Sequence, residues 1–114
     1  MTEARLKAQV LVQSAIRRAS MRGIAATVAR RGDPDAGAVY VKVNRGPAAG
    51  CTVLAPTRDY DREVTFWRQA TGDQPVPEAE ADAYIERERR IDPDLWVLEI
   101  EDREGWHPFG EDTA

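Results

Sequence analysis

Apolar and polar positions along the chain change period several times, and each change marks an element. From Glu3 to Arg22 the spacing is helical. At roughly 100° per residue, Ala8, Leu11, Val12, Ala15, Ile16 and Ala19 share one face, with Gln13, Arg17 and Ser20 opposite. Leu6, Ala8, Val10 and Val12 also alternate, so a short strand leading into the helix competes at its start. Gly23 supplies a stop. Ile24 to Arg30 is β-compatible and runs into Arg31-Gly32-Asp33-Pro34-Asp35-Ala36-Gly37, which is turn chemistry. Val39, Val41 and Val43 then alternate with Tyr40 and Lys42, the pattern of a strand with one buried face. Asn44 to Gly50 reads as a second turn, Thr52 to Ala55 as a short strand and Thr57 to Asp61 as a third connection. Glu63 to Arg68 is another strand, and four strands on short turns predict an antiparallel meander.

A second helix opens after the loop from Thr71 to Pro77. Pro77 suits its first position, Glu78 and Glu80 its first turn, and Arg87, Arg89 and Arg90 its last. Ala81, Tyr84, Ile85 and Ile91 form its apolar stripe, with Glu88 read as exposed at the stripe's edge. Asp92-Pro93-Asp94 ends the helix, and Leu95 to Glu101 makes a last strand with Trp96, Leu98 and Ile100 on one face. The prediction is an α+β fold in the order α-β-β-β-β-α-β: a two-layer sandwich with two helices and a mostly antiparallel sheet of about five strands. One domain covers residues 1–102, and 103–114 form a polar tail broken by Trp106, Pro108 and Phe109.

Composition narrows the chemistry. No apolar run approaches the ~20 residues of a membrane-spanning helix, and there is no signal-peptide core. The single cysteine excludes an intramolecular disulfide and a zinc ribbon, and the single histidine excludes multi-histidine metal sites. The cytoplasm is the expected address. Charge adds a sharper feature, because the net −4 hides a split of +6 over residues 1–50 and −10 over residues 51–114. A fold that interleaves the halves cancels that split. Fourteen arginines against two lysines, beside seventeen alanines, read mainly as the codon bias of a GC-rich genome.

The remaining motifs have ordinary readings. Gly46-Pro47-Ala48-Ala49-Gly50 lacks the lysine, the spacing and the following helix of a phosphate loop, so it is a hairpin turn. Cys51 and His107 are the sole thiol–imidazole pair and carry no flanking motif; Cys51 reads as a small core residue. Asp33/Asp35, Asp59/Asp61 and Asp92/Asp94 fit turns better than a hard-cation site, and Glu99 with Glu101 reads as an exposed strand face. Trp96 belongs to the core, whereas Trp67 and Trp106 are candidate surface anchors. No catalytic residue, metal site or cofactor is assigned.

Several segments together resemble a known family: Arg5-Leu6-Lys7, Ile16-Arg17-Arg18, Arg31 to Ala38, Pro77 to Ile85, Asp92 to Val97, Glu99 to Asp102 and His107-Pro108-Phe109. The set is similar to the short proteobacterial proteins of domain of unknown function 1491, from about Arg5 to Phe109. That resemblance implies a bacterial, cytoplasmic protein and carries no functional residues over. The expected function is that of a small non-catalytic domain binding a protein partner, with room for a homo-oligomer. The alternative is anion or nucleic-acid binding by Arg17, Arg18, Arg22, Arg30 and Arg31 gathered in one patch, which the acidic total disfavours. A carboxylate enzyme around Glu99 and Glu101 is the third reading.

Overall fold

Local chemistry sets the elements close to where the periodicity predicts them. The computed structural model describes residues 7–109, in the order α1 (Ala8–Met21), β1 (Ala25–Arg30), β2 (Val39–Asn44), β3 (Cys51–Asp59), β4 (Val64–Gln69), α2 (Glu78–Ile91) and β5 (Trp96–Glu101). Residues 3–6 of the expected first helix, and 110–114 of the expected tail, lie outside the described residues. At the start of α1, side-chain capping is replaced by backbone: the Ala8 and Gln9 amides donate to the carbonyls of Asp35 (3.3 Å) and Pro34 (2.9 Å). Its end is a Schellman closure, with Gly23 at φ 73°, Gly23 N–H on the Ser20 carbonyl and Ile24 N–H on that of Ala19.

The α+β class, the element order, five strands and mostly antiparallel pairing agree with the sequence prediction. The strand order differs from a four-strand meander: it is β1-β5-β2-β3-β4, with β5 parallel to β2 and every other pair antiparallel. The reason lies in β5 itself. Trp96, Val97, Leu98 and Ile100 are all buried, so both faces of this strand need cover, which a central position provides. β1, rich in alanine, is left at an edge and is mostly exposed. Between β1 and β2 the chain must cross the end of β5, and residues 31–38 do so in tight contact. Asp33 N–H reaches the Asp94 carbonyl (2.9 Å), and the Trp96 indole N–H reaches the Asp33 carbonyl (2.7 Å). A Cβ on Gly32 would lie 2.1 Å from the Asp94 oxygen, so only glycine fits there.

The layering is helix–sheet–helix, three layers where two were expected, because the two helices pack on opposite faces of the sheet. Ala8, Val12 and Ala15 of α1 pack on Val39, Val41, Val43, Trp96, Leu98 and Ile100. On the opposite face, Ala81 of α2 packs on Cys51 and Val53, with Tyr40, Tyr84 and Ile85 around them. Ile91, expected in the α2 stripe, is instead 78% exposed, because the helix has run past the sheet. The expected tail needs correction as well. Residues 103–109 fold back onto the α1 face, and Phe109 is only 4% exposed, its ring 4.4 Å from that of Trp67. A buried aromatic here outweighs the polarity of its neighbours.

Candidate binding cleft at the splayed hairpin

A proline in β3 opens a cleft beside the hairpin it forms with β4. The β2–β3 ladder runs from Asn44↔Cys51 to Val41↔Leu54 and then stops, whereas β3–β4 continues to Asp59↔Val64. Arg45 N–H donates to the Gly50 carbonyl, and hydrogen-bonded pairs alternate along an antiparallel ladder. Counted from that pair, the next position for an N–H from β3 to β2 would be Pro56 opposite Val39, and proline has none. The Trp67 indole N–H takes the Val39 carbonyl instead (2.9 Å). Pairing toward β4 does not need the missing N–H, so β3 runs four residues beyond its expected end at Ala55, to Asp59.

The resulting arm stands away from β2, and a cleft of about 460 Å³ opens between it, the start of α1 and the 35–38 turn. Leu11, Val39, Val64 and Trp67 supply apolar lining; Asp35, Arg58 and Glu63 supply the polar rim. Asp35 is paired with Lys7 at 3.8 Å. Among the described residues Arg58 has no carboxylate partner: its guanidinium donates to Thr65 Oγ1 (3.3 Å) and stands 6.0 Å from the Tyr60 ring centroid. Glu63 closes the turn at φ 56°, a left-handed conformation that costs a non-glycine residue on the order of 1 kcal/mol. Arg58 and the cleft were missed at sequence level; Pro56 inside an alternating run was the available signal.

The arginines expected to share a patch are placed at two ends of the molecule. α1 begins against the turn that follows β1, so Arg17, Arg18 and Arg22 in its second half lie at the opposite end from Arg30 and Arg31. A six-residue strand separates the groups by roughly 17–20 Å. Arg17 and Arg18 are exposed. Arg22 stacks 5.0 Å from the Trp106 ring, Arg31 stacks 5.2 Å from Trp96, and Arg30 donates to the Pro93 carbonyl (3.0 Å). Trp106 is half-buried against the α1-side core, and Trp67 is half-buried in the cleft. The two tryptophans therefore serve as packing groups, with part of Trp67 open to the cleft.

The charged halves of the sequence interleave. Lys42, only 5% exposed, lies beneath α2 with its Nζ 2.8 Å from both Glu78 and Asp82 and 3.9 Å from Glu99. Burial works against its charge, but the hydrogen bonds it donates to Asp82 and Glu78 and the field of Glu99 outweigh it and raise its pKa. It is a held ammonium, neither base nor nucleophile. Asn44 adds hydrogen bonds to Glu78 and Glu99. Tyr40 donates its hydroxyl to Glu88 (3.1 Å), so Glu88 has a partner where exposure was expected. Burial and this carboxylate together push the Tyr40 hydroxyl up to about 12.

The remaining chemistry is structural where the contacts are explicit. Cys51 is fully buried on the α2 side, and burial raises its thiol pKa. His107 lies on the other face, its Nδ1 accepting the Phe109 N–H (3.2 Å). Asp33, Asp59 and Asp92 each accept backbone N–H bonds two residues ahead, the turn role expected of them. Among the described residues no group of three or more His, Cys, Asp or Glu side chains is arranged to hold a metal ion. Among them, too, no helix is long and apolar enough to cross a membrane.

The family model for DUF1491, a protein of unknown function, matches residues 6–110. The chain belongs to the DUF1491 family. A crystal structure of a DUF1491 protein from Caulobacter crescentus CB15 is 42% identical, with TM-score 0.79 and coverage of 93% of this chain and 94% of that one. An NMR structure of a DUF1491 protein from the same organism gives 41% identity, TM-score 0.81 and 96% coverage of both chains. A solution structure from A. tumefaciens shares 33% identity, with TM-score 0.69 and 86% coverage of each. None of the curated proteins matches the chain. Two stretches that carry the DUF1491 resemblance in sequence, Arg31 to Ala38 and Asp92 to Val97, meet in space around the Trp96 indole.

Proposed function

We propose that this DUF1491 protein is a small binding domain of the bacterial cytoplasm that holds a segment of a protein partner in the cleft beside the hairpin arm. The observation that carries this reading is the cleft itself: apolar lining from Leu11, Val39 and Trp67 beneath a rim of both charges. Apolar floors with a few polar groups at the margin are the usual form of a recognition site. A buried free cysteine fits a reducing compartment. The test compares three tagged proteins as bait in native lysate: wild type, Ala36→Trp to fill the cleft from its exposed rim, and Arg17→Glu with Arg18→Glu. The expected result is a partner held by wild type and by the arginine variant but lost with Ala36→Trp, all three melting alike. A partner indifferent to Ala36→Trp contradicts the reading.

A second reading rests on one observation: the exposed side of α1 carries Arg17 and Arg18 without an acidic residue anywhere in the helix. Phosphate-backbone binding there would fall steeply with salt. Loss of capture with the arginine variant alone, matched by salt-sensitive RNA or DNA binding, would favour it.

A further inference from the structure

The sheet has two edges, and they are finished differently. β1 carries a bulge: Val28 pairs with Leu98 and Arg30 with Val97, leaving Ala29 extra. Arg30 then folds back to the Pro93 carbonyl. Bulges and folded-back charges are what protects an edge from further pairing. β4 has neither device. Its register with β3 is regular over six pairs, from Leu54↔Gln69 to Asp59↔Val64.

The direction of its free backbone groups follows from the ladder. Ala70 N–H donates to the Val53 carbonyl, so the even-numbered residues of β4 bond inward to β3. Thr65, Trp67 and Gln69 therefore point their N–H and C=O groups outward, and no other described backbone group meets them. The side chains of Thr65 and Trp67 line the cleft. Backbone edge and cleft thus belong to one surface. Two guanidinium groups flank it without a carboxylate partner among the described residues: Arg58 on the cleft side, and Arg68 beside Tyr84 on the α2 side. Among the described residues, Asp61 and Glu63 at the tip of the arm have no cationic partner, whereas Asp59 is paired with Arg62 at 3.7 Å.

We infer that the partner segment binds as a sixth strand, added to β4 through Thr65, Trp67 and Gln69, with apolar side chains and one acidic side chain turned to the cleft and Arg58, and acidic ones between them turned to Arg68 on the opposite side. This rests on the cleft reading and specifies how the partner is held. In such strand addition the main chain supplies affinity and the pockets supply selectivity.

The experiment uses random linear peptides displayed on phage and selected on the whole protein, the best binder then being synthesised. Affinity is measured for wild type, Gln69→Pro and Ala36→Trp. Gln69→Pro removes an outward N–H without touching the β3 ladder or the cleft lining, and Thr65→Pro, read against Thr65→Val, which loses the Arg58 contact but keeps the N–H, replaces it if that variant fails to melt like wild type. Strand addition predicts an acidic, β-compatible peptide whose affinity falls about ten-fold or more with the proline. A fall with Ala36→Trp alone keeps the cleft and overturns strand addition. A fall with the proline alone keeps strand addition and overturns the cleft. No selectable peptide, or one indifferent to both changes, overturns both.

Discussion

The half of the sheet under α1 and the half formed by β3 and β4 are built from similar residues to opposite ends. In the first, Trp96 is fully enclosed: α1 covers it, residues 31–38 wrap its indole, and Arg31 lies on its face. In the second, Trp67 is held just as firmly by its indole N–H, yet it keeps part of its surface in an open cleft. The difference comes from backbone hydrogen bonding. Around Trp96 the crossing segment and the strands satisfy one another, whereas Pro56 breaks the ladder beside Trp67 and sets the arm free. One tryptophan closes a core, and the other lines a site.

Truncation of Trp96 breaks this comparison most forcefully. Trp96→Ala should cost roughly 3–5 kcal/mol, the range for deleting a large buried aromatic, and urea unfolding will read it. A midpoint close to wild type would show that the enclosed half is not the stabilising one. Lys42→Met should be milder, about 1–3 kcal/mol, because Glu78 and Asp82 are more than half exposed and can turn to water while Glu99 cannot. Adding Glu99→Gln should recover part of that loss. If it does not, Lys42 contributes by its stem and not by its charge.

Alkaline titration sharpens the role of the α2 face. The folded-state pKa values of Tyr40 and Lys42 are both raised, so the stability they contribute is intact below their unfolded values and lost as pH climbs through the folded ones. Stability should therefore decline from about pH 10, where an unfolded tyrosine begins to ionise, toward the Tyr40 value of about 12. Tyr40→Phe should flatten that decline. An unchanged slope would remove the Tyr40–Glu88 bond from the account. The smallest stability effect belongs to Pro56→Val, within about 1 kcal/mol, which restores a donor facing Val39. Its expected signature is a narrowed cleft, seen as shifted NMR signals at Leu11 and Val64. Unmoved signals would mean that something other than the missing N–H holds the arm away.

Much of the architecture was legible because it is written in short-range patterns: the α1 face, the alternation of β2 and the charged ends of α2 all appear at the expected positions. Long-range choices were not. Only β5, apolar on both faces from Trp96 to Leu98, hinted that the last strand belongs at the centre, and alternation within one strand says nothing of its neighbours. Lys42 between two valines reads as a solvent-facing residue until α2 covers it with two carboxylates one helical turn apart. Phe109 in a polar stretch gave no period to follow. The cleft depends on which way one missing N–H points, which becomes readable once the ladder parity is known.

Native-state hydrogen exchange of the β4 amides tests the open edge most directly, on the unmodified protein and without a partner. If the edge is free, Thr65, Trp67 and Gln69 exchange fast while Phe66, Arg68 and Ala70 exchange slowly, an alternation along one strand. Uniform slow exchange across residues 65–70 would show that β4 is already covered, and the sixth-strand account would be wrong.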